Sequence, residues 1–300
     1  METLITILES TLRVSTPLIF AALGGLLSER AGVVNIALEG FMSIGAFAGV
    51  AIALFISGSS NGSMIGVSSY LGFFLAGVAG AVFASFYALM VIKFRADQIV
   101  SGTAMNMLAL GLIPFLNKIW YSSTGNTPSL EMSSRLVLLP TVLAVVLTFI
   151  LQWWLKKTPS GLWWEFAGEK PEALEASGVS VRAVRWVGVL MSGFLAGLGG
   201  ATLSMCLSSS YSRGMVAGRG FMALAALIFG GWRPIPVTLA CLLFGLVEAL
   251  QIRLQGVIAF GTEPVPVQFI QMIPYVATMV ILAIQISKKR QAPRSLGLPF

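Results

Sequence analysis

The sequence has no histidine and only two cysteines in 300 residues. The first absence removes imidazole both as a general base and as a metal ligand. The two thiols, Cys206 and Cys241, lie inside apolar segments, where they read as small core residues and not as a structural disulfide. Charge is scarce too: 10% of residues are Asp, Glu, Lys or Arg against 56% apolar ones, and the mean hydropathy is +0.88. That leaves too little polar residue to cover a soluble globule of this size, so the natural solvent for most of the chain is lipid. A Gly-x-x-x-x-Gly-Lys-Ser/Thr phosphate loop is also missing, which excludes ATP binding and hydrolysis by that route. With no credible cluster of catalytic groups, neither an enzyme activity, a cofactor nor a metal is expected. The net charge of +7 would suggest nucleic acid in a soluble protein; here its placement along the chain matters instead, and no nucleic-acid partner is expected.

What is abundant is apolar sequence in runs of about 20 residues, the length that spans a bilayer. Candidate helices fall at about 11–27, 36–57, 70–92, 99–120, 136–155, 183–207, 220–231, 235–253 and 267–286. Residues 1–300 therefore read as one integral membrane domain, an all-α polytopic bundle with about 8–9 membrane segments. The seventh segment is too short to cross; it is either half of a broken helix or starts earlier, among Gly214, Gly218 and Gly220. Glu2, Glu9 and the lack of a small-x-small cleavage pattern argue against a cleavable signal, so the first span is expected to stay.

If every segment crosses, 13 of the 19 Lys and Arg share one side, from Arg30 through Lys156, Lys157 and Arg233 to Lys288, Lys289, Arg290 and Arg294. Arg13, Lys118, Arg135, Arg213, Arg219 and Arg253 fall on the other. The richer side is expected to be the cytoplasm, with the C-terminus inside and the N-terminus outside. The polar segment 156–182 then lies in the cytosol. Within it Pro171 opens and Gly178 closes a stretch of good helix formers, which predicts a short helix at the membrane surface. Trp153, Trp154, Trp163, Trp164 and Trp120-Tyr121 read as interfacial anchors, and the basic tail as a contact for anionic lipid.

Several polar residues stand between apolar runs and need a reason, since an ionisable group at a helix centre costs about 3 kcal/mol on insertion scales. In Ser28-Glu-Arg-Ala-Gly-Val-Val-Asn-Ile-Ala-Leu-Glu-Gly40, Asn35 and Glu39 are four apart and are expected on one helix face. They would either line a translocation path, hold a broken helix or cap a helix end. Asn106, Glu248 and Gln251 are the other polar groups at depth, either pore-lining or hydrogen-bonded between helices. Glycine clusters such as Gly193-x-x-x-Gly197-x-Gly199-Gly200 are packing devices for close helices. Glu39-Gly-Phe-Met-Ser-Ile-Gly-Ala-Phe47 can be laid over Arg219-Gly-Phe-Met-Ala-Leu-Ala-Ala-Leu227, the trace expected of an inverted repeat.

Three motifs together resemble one family. Ser28 to Met42, the loop Thr158-Pro-Ser-Gly-Leu162 with Ala167-Gly-Glu-Lys-Pro-Glu-Ala173 and Ser177-Gly-Val179, and Ala217 to Gly230 with Trp232-Arg-Pro234 are similar to the ABC importer permeases for ribose, branched-chain amino acids and nucleosides. The last motif, with Cys241-Leu-Leu-Phe-Gly245 and Ala249-Leu-Gln-Ile-Arg253, resembles the nucleoside branch. The resemblance implies a vitamin-B12-permease-like fold in a bacterial inner membrane and import of a nucleoside or similar small polar solute. It implies a second permease as heterodimer partner, two cytoplasmic ATPase domains and an extracytoplasmic substrate-binding lipoprotein. By it, the ATPase-coupling helix comprises Gly168, Glu169, Pro171, Glu172, Ala173, Leu174, Ala176 and Gly178. One departure is Trp163-Trp164-Glu165, where the family usually has a basic residue. The alternatives are an ion-coupled secondary transporter, or an ABC permease for riboflavin, sugar or branched-chain amino acid.

Overall fold

The structure is a computed structural model, and it describes residues 2–59, 65–130, 138–254, 259–260, 263–264, 272, 276, 279 and 292–298. Its helices are α1 (Glu2–Arg30), α2 (Leu38–Ser59), α3 (Ile65–Ala88), α4 (Gln98–Tyr121), α5 (Leu139–Lys157), α6 (Pro159–Glu169), α7 (Pro171–Ala176), α8 (Val181–Ala201), α9 (Arg219–Gly230) and α10 (Pro234–Leu254). Single π-turns extend α3 through Leu89–Lys93 and α8 through Thr202–Leu207. Two-residue strands, β1 (Ala259–Phe260) and β2 (Glu263–Pro264), pair antiparallel. Among the described residues, seven helices are long and apolar enough to cross a membrane: α1 to α5, α8 and α10. The protein is a multi-pass helical bundle. The expected seventh segment is the 12-residue α9, too short to cross. The expected ninth, 267–286, lies outside the described residues except for residues 272, 276 and 279.

The core is built where small residues let backbones meet. In α8, Gly200 lies so close to α2 that a Cβ there would run into the Met42 carbonyl oxygen, and Gly197 and Gly45 face each other in the same seam. Such contact replaces hydrophobic force, which lipid does not supply between helices, by dense van der Waals packing. α1 lies antiparallel to α8, with Gly199 against the Pro17 carbonyl and Gly188 against Leu27, whereas α2 runs parallel to α8. α3 closes the other side of α8, antiparallel to it. These directions put Arg30, Lys93, Lys156, Lys157, Arg182 and Arg233 at one end of the bundle, and Arg13, Lys118 and Arg253 at the other.

Segment 156–182 is not a loop with one short helix. Thr158 caps α6 by accepting a hydrogen bond from the Gly161 N–H, and Pro159 stands at its first position. α6 is pinned to the bundle: the buried Trp164 donates from Nε1 to the Leu27 carbonyl at 2.9 Å and packs edge-on against Trp154 at 5.0 Å. Trp164 is therefore a rivet between α6 and α1 and not an interfacial anchor; Trp153 and Trp163 do stay exposed.

Candidate functional site

Two helix starts meet inside the bundle. The chain leaves α1 at Arg30, passes through Ala31–Ala37 without helical structure and enters α2 at Leu38. From the other end, residues 208–218 descend with Ser209, Gly214, Ala217 and Gly218 in left-handed conformations, and α9 begins at Arg219. Gly218 has φ +80°, a conformation that costs glycine little and stops the helix from extending upstream. α9 ends as abruptly, since Gly231 and Trp232 are both left-handed and Pro234 starts the next helix. α9 therefore begins where its glycines permit and not within the earlier Gly-rich stretch. Gly220 abuts the Glu39 backbone. From this junction α2 runs with α8 toward one end, while α9 runs toward the other, with Leu227 beside Gly25 and Trp232 Nε1 donating to the buried Glu29 at 2.7 Å.

Glu39 fastens the junction. Its two carboxylate oxygens accept from the Gly218 N–H at 2.8 Å and the Gly220 N–H at 2.7 Å. An anion here faces the partial positive charge of α9's start and belongs itself to the first turn of α2, so it neutralises two opposed helix ends at once. Asn106 of α4 clasps the same turn from the side, accepting from the Gly40 N–H at 2.8 Å and donating to the Ile36 carbonyl at 2.9 Å. Asn35 is fully buried but precedes α2, so it does not share a helix face with Glu39 as its spacing predicted. It accepts from the Ala37 N–H and donates to Ser192 Oγ of α8 at 2.7 Å. The non-helical stretch is further held by Gln98, which accepts from the Val34 N–H, and by Tyr87, which donates to the Val34 carbonyl.

Arg219 reaches Glu248 of α10 in a close ion pair inside the bundle, which corrects its expected place among the charges of the far side. Gln251 is buried one turn along α10 from Glu248. Asn35, Glu39, Asn106 and Glu248 thus belong to one polar knot around the α2–α9 junction. Glu29, Gln98, Ser192 and Arg219 were missed as members. The signal for Glu29 and Trp232 was their membership of two separate motifs.

Above the knot, 125–130 and 209–213 pair, through Thr127 N–H to the Tyr211 carbonyl, Arg213 N–H to the Gly125 carbonyl and Leu130 N–H to the Ser209 carbonyl. Tyr211 packs edge-on against Phe47, and burial pushes its phenol up to about 12 against the opposing pull of Arg213, so it stays neutral.

At the basic end, α7 stands out from the bundle. Leu174 is buried and anchors it, while Glu172, Ala173, Glu175 and Ala176 are exposed. It closes at Gly178, with φ +84°, and Ser180 caps the following α8. Of the other residues assigned to this element, Glu169 ends α6 in the open, whereas Gly168 is buried against the Arg30 carbonyl and accepts from Ser295 N–H and Oγ. The stretch 292–298 thus docks at this same end, and Arg185 Nη1 donates to the Leu298 carbonyl.

Residues 7–284 match the family described as branched-chain amino acid transport system / permease component. A nucleoside ABC transporter permease protein of Lactococcus lactis is 39% identical over 100% of this chain and 98% of its own length. A guanosine ABC transporter permease protein of Bacillus subtilis is 37% identical over 98% of this chain and 96% of its own. A second guanosine ABC transporter permease protein of Bacillus subtilis is 27% identical over 79% of this chain and 71% of its own.

Proposed function

This chain belongs to the branched-chain amino acid transport system / permease family, and from that premise we propose that it carries nucleosides inward as the permease subunit of an ABC importer. The observation that carries this reading is likeness to nucleoside and guanosine permeases along the entire chain and not in one motif. ATP hydrolysis falls to two separate ATPase domains at the basic end, which is the cytoplasmic one by the excess of Lys and Arg there. A second permease completes the pathway; two non-identical guanosine permeases in Bacillus subtilis, both similar to this chain, favour a heterodimer. A substrate-binding lipoprotein delivers the solute at the opposite end, and the chain sits in a bacterial inner membrane with its N-terminus outside.

In this reading α7 is the element that docks on the ATPase. It is short, exposed on the side away from the bundle and joined through α6 to α1, so force on it passes by way of Trp164 to the helix that leads into the α2–α9 junction. Two opposed helix starts carrying a matched Gly-Phe-Met sequence support reading the junction as the meeting point of an inverted repeat, the place where a pathway is opened or closed. Asn35, Glu39 and Asn106 hold it; Glu248 and Gln251 are the residues for a solute hydroxyl or base edge to meet.

The test is uptake of radiolabelled guanosine by cells that carry the whole system, with and without this chain. Uptake is expected to need the chain, to fall when ATP is depleted and to survive a proton ionophore while ATP is maintained. Uptake driven by an ion gradient into vesicles holding this chain alone would instead identify a secondary transporter.

A further inference from the structure

At the basic end of the bundle, beside α6 and away from the polar knot, a cavity of about 680 Å³ opens between α1, α5, α6 and the α9–α10 link. Four cations line it, Arg30, Lys156, Lys157 and Arg233, and they come from three separate stretches of chain. One carboxylate, Glu165, faces them; it pairs with Arg30 at 3.7 Å and is about half exposed. Among the described residues, Lys156, Lys157 and Arg233 have no acidic partner; Arg30 is drawn by Glu165 and by Glu169, outside the lining, and more weakly repelled by Arg233. A cavity into which like charges converge with a surplus of three attracts a counter-anion.

The backbone adds to that field. Thr158 and Pro159, at the start of α6, and Arg233 and Pro234, at the start of α10, are all lining residues, so two helix N-termini open on the cavity. Each contributes partial positive charge but no free N–H from its lining residues, since Pro159 and Pro234 have none and Thr158 donates to the Trp154 carbonyl. Gln152, in the same wall, keeps a buried Oε1 without a donor among the described residues, which suits a hydroxyl beside the anion. The volume lies within the range of small-ligand sites and exceeds what a bare ion needs.

We propose that this cavity binds a phosphate ester that carries neighbouring hydroxyls. The phosphate comes either from an anionic phospholipid headgroup of the surrounding leaflet or from a soluble phosphate compound. Bound there, it would tie α6 to α1 and α10 and brace the base of α7. The site needs neither the nucleoside nor the ATPase reading, since it rests on charge and cavity shape alone.

The experiment uses the purified full chain in phosphate-free detergent, with lipid binding followed by native mass spectrometry and stability by thermal unfolding. The probes are phosphatidylglycerol, diacylglycerol, which lacks the entire phosphoglycerol headgroup, and inorganic phosphate against chloride. Phosphatidylglycerol but not diacylglycerol is expected to be retained, with about tenfold weaker retention in a Lys156→Gln, Arg233→Gln double variant. Glu165→Gln removes the competing carboxylate from a half-exposed position and is expected to strengthen binding about threefold. Protection by inorganic phosphate, lost in the double variant and unaccompanied by lipid retention, would support the same site with a soluble ligand. Equal binding of every probe to the parent chain and to Glu165→Gln overturns the proposal, even if the double variant fails to fold.

Discussion

Helices α5 and α8 have the same mean hydropathy, yet 78% of the apolar stretch of α8 is buried inside the protein and 28% of that of α5. Hydrophobicity therefore selects both for the membrane and says nothing about which of them the protein keeps to itself. Side-chain size makes the difference. α8 carries Ser192-Gly-Phe-Leu-Ala-Gly-Leu-Gly-Gly-Ala201, and its glycines let α1, α2 and α3 pack backbone against backbone. α5 carries Leu143, Val145, Val146, Phe149 and Ile150 outward, side chains that hold neighbours at a distance and lose nothing in a hydrocarbon solvent. It touches the bundle through hydroxyl pairs, Thr141 with Thr16 and Thr148 with Thr238, each within about 3 Å.

The harshest way to break this contrast is Gly200→Val. Branched bulk at a point where even a methyl group meets the Met42 carbonyl must push α2 from α8, at a cost on the order of 3 kcal/mol or more. The expected outcome is loss of the monodisperse peak in detergent gel filtration and a large fall in membrane yield. A Gly200→Val chain that purifies like the parent would mean that the α2–α8 seam is not as close as described.

Next comes Glu39→Ala, which strips both N–H groups of α9's start and leaves two helix ends opposed without an anion. At about 1.5–3 kcal/mol for each charge-assisted bond, offset by water entering the gap, a net loss of about 3 kcal/mol is expected. Glu39→Gln keeps one acceptor oxygen and should lose roughly half as much. Thermal unfolding of the two variants in detergent checks the ranking, and equal midpoints for both would remove the charge from the account.

The Glu39 contact also marks where sequence reasoning reached and where it stopped. Spans followed from apolar run length, and α7 from Pro171 and Gly178, because those signals are local. Polarity at depth singled out Glu39, Asn35 and Asn106 for the same reason, that a costly group must have a use. Their partners were not legible: Glu39 meets Gly218 and Gly220 across about 180 positions, and Asn35 meets Ser192 across 157. Pairings of that range depend on which helices pack, which a single sequence does not order. A spacing of four suits a helix and puts Asn35 on one with Glu39, whereas the chain there is bent by Gly32 at φ +93° and held by side chains of α3, α4 and α8. α6 is hidden in the sequence although Thr158-Pro159 is a helix-start signal, because the tryptophans that follow resemble an interfacial belt, whereas Trp164 is buried.

A smaller effect on stability, and a specific one on transport, is expected from Leu174→Asp. The buried side chain is α7's anchor, and a carboxylate in its place detaches six residues without disturbing the spans. Nucleoside uptake by the complete system should fall at least tenfold, about 1.4 kcal/mol in coupling, while immunoblots of the membrane fraction stay level. Undiminished uptake would take α7 out of the coupling role.

The mildest substitution is the mirror of the first. Gly111 lies in α4, and a Cβ there would meet nothing within 4 Å. Gly111→Ala therefore adds no clash, and alanine lowers the backbone entropy lost on forming the helix, a gain of up to about 1 kcal/mol. The expected midpoint is equal to the parent's or slightly higher. In the assembled importer the same substitution becomes informative, because open space beside Gly111 in one chain is also where a second permease would lie close. If Gly111→Ala is neutral in the isolated chain and lowers nucleoside uptake in the complete system, then α4's glycine plays toward a partner the role that Gly200 plays inside the chain. If it is neutral in both, α4 faces lipid at this position, and the outer helices differ from α8 in kind.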